Sequence, residues 1–382
     1  MLSLLAAGVF VLGYVLITLE HRFHTNKSAI SLALAAILWI ITSFALNDVE
    51  HLRHAVSEAG VEVFNIVVFL LAAMTLVEIL IHYRFFDFIR VKLLKLKLDD
   101  KKQFLVIGVL TFFLSAILDN LTITIVMIQI ARRFFKGENL LVVAAGIVIL
   151  ANAGGAWSPL GDVTTIMIWL AGKFSALEII MRTFLPSLVL GIVASLMMAR
   201  RIGKTTEDIK EEKFQRFSRG EKLVIATALG SFSLPLVMSQ LGLQPYFGLL
   251  LGLGLTWLIV DFVKNRSQTQ THLTANIESF LQKTDIASIK FFIGILLAVS
   301  ALHTIGVLET FSHLLLGEEQ DYVRVIIGNG ALGLLSAIVD NVPLTALALD
   351  IITLEQTSVW TFLAYCVGIG VWVLQRMFIF GA

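Results

Sequence analysis

Ser115-Ala116-Ile117-Leu118-Asp119-Asn120 returns as Ser336-Ala337-Ile338-Val339-Asp340-Asn341, 221 positions later and identical at five of six places. The same offset pairs His82 with His303 and Thr124 with Thr345, without a gap. Leucine, isoleucine and alanine match easily between apolar helices, but an Asp-Asn pair inside an apolar tract is rare. An internal repeat therefore organises the chain. Around it lie 382 residues, 57% of them hydrophobic and 15% charged, with a mean hydropathy of +0.88. A soluble chain carries about 25% charged residues. So large an apolar excess needs lipid as its solvent. The net charge of +1 leaves no nucleic-acid footprint, and the single cysteine, Cys366, excludes an internal disulfide and a Cys-based metal site.

A membrane span needs about 20 apolar residues. Tracts 1–19, 28–46, 63–82, 174–199, 222–239, 246–263 and 288–316 qualify, and 359–380 closes the chain. Met1-Leu2-Ser3 lacks a basic n-region and a cleavage site, so 1–19 reads as an uncleaved first span. Three further tracts, 104–131, 140–172 and 322–354, are too long for one crossing and too short for two. Basic short loops mark the cytoplasm. Arg22 and Lys27 place loop 20–27 there, and seven Lys and Arg residues place 83–103 there. Loop 47–62, with four acidic residues against Arg53, faces outward. Arg132, Arg133 and Lys136 return tract 104–131 to the side it left, as a re-entrant hairpin. Arg200, Arg201 and Lys204, then Lys264, Arg266, Lys283 and Lys290, mark the inside again. Glu318, Glu319 and Asp321 mark the outside, from which tract 322–354 enters as a second hairpin. Scattered Trp and Phe read as lipid contacts.

The first repeat thus begins outside-to-inside and the second inside-to-outside. That is the inverted-repeat plan of secondary transporters, with broken helices and a site near mid-membrane at the repeat interface. The expected fold is an all-α polytopic membrane protein with two inverted repeats and opposed hairpins. Residues 1–62 are N-terminal scaffold spans, and 63–199 the first repeat, with its hairpin at 104–131 and a broken helix at 140–172. A cytoplasmic connector at 200–221 leads to middle spans and a loop at 222–287, and 288–382 is the second repeat.

A carboxylate at bilayer depth costs on the order of 2.5–3.5 kcal/mol, and Asp119, Asp162 and Asp340 all lie inside apolar tracts. Asn120, Thr122, Asn341 and freed carbonyls supply the oxygen donors that a hard cation such as Na⁺ wants, and no Cys/His set suggests a transition metal. The expectation is Na⁺ at Asp119, Asp162 and Asp340, with no cofactor. Asn152-Ala153-Gly154-Gly155-Ala156-Trp157-Ser158-Pro159-Leu160-Gly161-Asp162-Val163-Thr164-Thr165 is the most specific stretch. Gly154, Gly155 and Pro159 unwind its helix, and Pro343 is expected to force the break after Asp340. Irregular backbone at this depth lines a cavity or is buried in protein. The alternative is a kinked helix in which each aspartate merely bonds a neighbour. Glu78 reads as a proton relay or a solvated interface carboxylate. His82 and His303 read as pH-responsive groups or as satisfied interface residues.

Asp119 to Thr122, the 152–165 strip and Ser336 to Thr345 resemble the NhaD-type Na⁺/H⁺ antiporters of the ion transporter superfamily. The resemblance runs over most of the chain. It implies a bacterial inner-membrane transporter, not an enzyme, that expels Na⁺ or Li⁺ against inward protons in pH homeostasis, as a homodimer. The implied polar residues are Asp119, Asn120, Thr122, Asn152, Asp162, Thr164, Thr165, Ser336, Asp340 and Asn341.

One departure stands out. The family pattern calls for a second glycine-rich, serine-bearing break and another span in the second repeat. This chain reads Val367-Gly368-Ile369-Gly370-Val371-Trp372-Val373-Leu374-Gln375-Arg376 and stops 42 residues beyond Asp340, against about 80 for the first repeat beyond Asp119. A truncated or frameshifted end is the expectation that follows, with an inactive truncated product as a further alternative to transport. A cousin carrying an organic anion or oxyanion with Na⁺ or protons is the main functional alternative. It would favour small polar residues and helix N-termini over three aspartates. Leu160-Gly161-Asp162 superficially matches an intramembrane aspartyl protease motif, but position 159 is Pro and no Tyr precedes Asp119 or Asp340.

Overall fold

Asn26 begins the first long helix of the described membrane core by accepting the Ser28 N–H at 2.9 Å, and the same logic of polar caps on apolar helices recurs down the chain. The structure, a computed structural model, describes residues 1–46, 48–203, 216–266, 280, 283–316, 320–337 and 340–380. The side chains of His21, Asn265, Arg266, Leu314, Leu315 and residues 371–380 fall outside that description. Lys204, Glu318, Glu319, Ile338, Val339 and the side chain of Arg376, all used above, lie outside it too.

In chain order the helices are α1 (Leu2–Thr18), α2 (Glu20–Phe23), α3 (Lys27–Ala45), α4 (Val49–His82), α5 (Phe85–Lys95), α6 (Asp100–Ser115), α7 (Asn120–Ala131), α8 (Gly137–Gly155) and α9 (Val163–Leu170). They continue as α10 (Ala176–Ala199), α11 (Arg219–Ser231), α12 (Leu234–Gln240), α13 (Tyr246–Arg266), α14 (Ile286–Thr304), α15 (Val307–Leu316), α16 (Tyr322–Ser336), α17 (Asn341–Ile351) and α18 (Thr357–Phe380). No strand occurs among the described residues. Among the described residues seven helices are long and apolar enough to cross a membrane: Lys27–Ala45, Val49–His82, Gly137–Gly155, Ala176–Ala199, Arg219–Gln240, Tyr246–Lys264 and Ile286–Thr304. Leu12, Phe44, Met181 and Leu258 are at least two-thirds exposed, a surface that suits lipid rather than water. The polytopic helical membrane protein expected from composition is what folds.

Three expectations change. The acidic loop at 47–62 is mostly helix, because α4 runs 34 residues without an interrupting proline and projects beyond a bilayer core. The tract 288–316 divides after Thr304, where Gly306 takes φ +72°. Many aromatic side chains are core rather than lipid contacts. Trp360, Phe69, Phe104, Phe135 and Phe291 are fully buried, since close packing between helices can use their area wherever small residues make room.

Two compact units emerge. The first gathers Met1–Leu71, Met167–Phe174 and Asp285–Gly370. In it α3 and α14 pack along their length. Ser28 Oγ donates to Ala287 O at 2.7 Å and Thr42 Oγ1 to Ala301 O at 3.4 Å, so the two helices run parallel in constant register. The second gathers Ala72–Ile166, Ser175–Thr284 and Val371–Ala382. There α8 is central, packed by α6, α7 and α10. Ser175 and Ser218 open α10 and α11 with reciprocal Ser-to-Glu capping boxes.

Candidate functional site

In the second unit α6 ends at Ser115, and after residues 116–119 the chain restarts as α7 with Asp119 as its cap. Asp119 Oδ2 accepts both the Thr122 N–H (2.9 Å) and the Thr122 hydroxyl (3.0 Å). Ser115 Oγ donates to Ala151 O at 2.7 Å, tying the end of α6 to α8. Asn120 Nδ2 donates to Asn152 Oδ1 at 3.0 Å, and the Asn120 N–H to Gly161 O at 3.1 Å. The structure thus brings Asn120 and Asn152, 32 residues apart in sequence, into direct contact.

α8 ends at the paired glycines. A Cβ on Gly154 would overlap the Phe112 carbonyl, and one on Gly155 would meet Gly161 O at 2.6 Å, so the backbones approach as only glycine permits. Pro159 sits in the loop between α8 and α9. That loop is braced by Trp157, which stacks on Phe112 and meets Phe184 edge-on, and by Thr183 Oγ1, which donates to Ala156 O. Asp162 closes the loop at 3% exposure. Its Oδ1 accepts the Thr164 N–H at 3.2 Å and the Thr164 hydroxyl at 3.4 Å, while the Thr165 hydroxyl donates to Asp162 O at 2.8 Å. Thr164 and Thr165 are fully buried.

The first unit contains a matching construction. α16 ends at Ser336 and α17 restarts at Asn341 with Asp340 as cap, its backbone at φ −58°, ψ 138° against −50°, 135° for Asp119. Asp340 Oδ1 accepts the Val342 N–H at 3.1 Å, and Thr345 Oγ1 donates to Asn341 O. Ser336 Oγ donates to Val367 O at 2.9 Å, as Ser115 does to Ala151 O. A Cβ on Gly370 would overlap the Gly333 carbonyl, as one on Gly154 would overlap that of Phe112. Phe112 and Gly333 are themselves 221 positions apart. Pro343 lies in the first turn of α17, where its missing N–H costs nothing.

The other titratable candidates are placed separately. Glu78 lies within electrostatic reach of Lys283. His82 packs edge-on against Phe280 at 4.9 Å, in the second unit. His303 is exposed in the first unit, within electrostatic reach of Glu62. Two residues were missed as site candidates. Glu62, counted only as loop charge, lines a cavity of about 400 Å³ with Ser57, Glu58 and Asn65, and Asp350 acts on it electrostatically. The spacing 58, 62, 65 along one helical face was its signal. Lys27, counted only as a cytoplasmic marker, places Nζ 3.6 Å from Asp340 Oδ2. No local pattern could reveal a contact so distant in sequence. Among the described residues no group of three His, Cys, Asp or Glu side chains gathers to hold a metal ion. The oxygens around each aspartate come instead from hydroxyls, amides and backbone, a hard donor set.

Residues 14–370 match a protein-family model described as CitMHS, citrate transporter. Among curated proteins the chain is 36% identical to sodium/proton antiporter 2 of Arabidopsis thaliana over 375 residues, which is 95% of this chain and 87% of that protein. It is 35% identical to sodium/proton antiporter 1 of the same plant, over 95% of this chain and 64% of that longer protein. It is 28% identical to the Na(+)/H(+) antiporter NhaD of Vibrio cholerae, over 95% of this chain and 80% of that protein. With paired helix breaks capped by aspartate and a family match over nearly its whole length, the chain belongs to the CitMHS transporter family, among relatives of the NhaD type.

Proposed function

We propose that the protein exchanges cytoplasmic Na⁺ or Li⁺ for external protons, the two competing for intramembrane carboxylates. The observation that carries this is Asp162. Its carboxylate is buried at a helix break, with threonine hydroxyls and backbone groups as its neighbours. A proton on such a carboxylate removes the charge that holds Na⁺, so each ion excludes the other and exchange is coupled without a separate gate. In the same unit Asp119, Asn120, Thr122 and Asn152 supply further charge and oxygen donors, and in the other unit Asp340, Ser336 and Asn341 supply a corresponding set. The antiporter names of the relatives support the same reading.

The matched serine, glycine and aspartate geometry of the two units supports an internal repeat. With the charge pattern of the loops, we take the repeats as inverted and the tracts 104–131 and 322–354 as opposed re-entrant hairpins. The domain division is then the one expected from sequence, in a homodimer of a bacterial inner membrane. His82, His303 and Glu78 stand as candidates for pH response and proton relay.

The test uses everted vesicles from cells lacking their own Na⁺/H⁺ antiporters, with a ΔpH dye followed as Na⁺, Li⁺ or K⁺ is added. Dequenching by Na⁺ or Li⁺ is expected, and its loss in Asp162→Asn with the protein still in the membrane. Silence from a chain shown to sit in the membrane overturns the reading. The family's citrate-transporter description favours one second reading, a carrier of organic anions coupled to Na⁺ or protons. Citrate-dependent dequenching in the same vesicles, with none from Na⁺ alone, decides for it.

A further inference from the structure

Lys27 is the first residue of α3, at the end the loop charges assign to the cytoplasm. A lysine there would ordinarily extend its ammonium outward to headgroups and water. This one turns the other way. Its Nζ lies 4.6 Å from the Phe291 ring centroid and 3.6 Å from Asp340 Oδ2. Because α3 and α14 run in register, Ser28 against Ala287, Phe291 sits about one turn further along the bundle than Lys27. The ammonium therefore reaches inward, onto an aromatic face and a carboxylate, with about a third of each charged side chain still accessible.

The separation of 3.6 Å is longer than the 2.7–2.9 Å typical of a tight charge-assisted hydrogen bond. Asp340 accepts the Val342 N–H at 3.1 Å on its other oxygen. Two more oxygens come from neighbouring groups. Asn341 Oδ1, from the adjacent residue, and Tyr14 Oη, within electrostatic reach of Asp340, are buried without a hydrogen-bond partner among the described residues. A carboxylate, an amide oxygen and a phenolic oxygen are donor types that suit a small monovalent cation, and the chain's own lysine stands against the carboxylate.

We infer that Lys27 is a tethered counter-cation of the Asp340 half-site, neutralising Asp340 when no ion is bound and displaced when a monovalent cation binds there. The inference rests on the reading of Asp340 as a cation-binding carboxylate. It assigns Lys27 a positioning role: the lysine sets how tightly the half-site holds its ion and keeps the empty site from carrying an uncompensated charge. Being one-third exposed, the ammonium can swing to water as the ion arrives.

The test compares Lys27→Met and Lys27→Arg in the vesicle assay, reading KM for Na⁺ apart from maximal rate. Removing the competitor lowers the apparent KM about two- to fivefold, the range of a half-exposed ion pair, and lowers the maximal rate because release slows. Lys27→Arg restores both towards wild type. An unchanged or raised KM in Lys27→Met, with normal protein level, overturns the inference. A second measurement does not need the variant to fold. Amine acylation of Lys27 in the wild-type protein, read by mass spectrometry against Lys92 and Lys95, speeds up when Na⁺ replaces choline. Equal rates sink the inference. Failure of the transport reading is separable. If the wild type moves no Na⁺, faster acylation of Lys27 in Asp340→Asn than in wild type still demonstrates the pair, and equal acylation refutes it.

Discussion

The side-chain amide of Asn120 donates to the Asn152 carbonyl oxygen at 3.0 Å, joining the first turn of α7 to the last turn of α8. With the Asn120 N–H donating to Gly161 O at 3.1 Å, this bridge ties the Asp119 break to the glycine-rich strip. Asn152→Ala removes the acceptor and leaves the half-buried Asn120 amide without it, a loss of about 1 kcal/mol. Na⁺-driven ΔpH falls while membrane level stays near wild type. Equal initial rates for variant and wild type would show the bridge to be incidental.

The glycine contacts separate tight sites from open ones. Gly154→Ala drives a Cβ into the Phe112 carbonyl, and Gly370→Ala does the same to Gly333. Each should destabilise by about 1–3 kcal/mol, as overpacked sites do. Gly60→Ala, in a part of α4 with nothing within 4 Å of the new atom, should be neutral or stabilising by about 0.5–1 kcal/mol. Thermal unfolding of the purified variants in one detergent gives the order directly, and a Gly154→Ala protein as stable as Gly60→Ala contradicts the packing.

Ser115→Ala and Ser336→Ala test whether the two units are built alike. Each loses one buried hydroxyl-to-carbonyl bond, 2.7 and 2.9 Å long, at about 1 kcal/mol. The expected outcome is two matched decreases in thermal stability that add in the double variant, since the sites lie in separate compact units. A large effect from one and none from the other breaks the equivalence.

Glu62→Gln probes the cavity beside α4. Both Glu62 and Glu58 line it, but Glu62 feels Asp350 and His303, whereas Glu58 is mostly exposed and 3.4 Å from His54. Glu62→Gln slows Na⁺-driven proton flux, and Glu58→Gln does so less. The reverse order, measured as initial dequenching rates at matched protein level, removes Glu62 from the candidate path.

The sequence by itself determined the solvent and most of the helices, and its 221-residue spacing carries the reading of an internal repeat. Apolar excess is a property of composition, and an aspartate in an apolar tract followed by Asn-x-Thr marks a helix restart because its carboxylate can cap the next turn. Asp119 stood out as a candidate on that ground, Asp340 as its counterpart 221 positions on, Asp162 as a carboxylate inside an apolar tract, and the glycine pair at 154 and 155 on the ground of backbone freedom. Boundaries were less legible. Nothing in Val49 to Glu62 stops a helix, so α4 continues through residues whose charges read as loop. What only the tertiary structure decided were the long-range partners. Asn120 found Asn152 across 32 residues, and Ser336 found Val367 across 31. Lys27 turned from a cytoplasmic marker into the neighbour of Asp340. The physical reason is that charge and hydropathy are local readings, whereas the direction a long side chain takes depends on which helices pack beside it. Parallel packing of α3 and α14 put an aromatic face and a carboxylate within reach of that ammonium.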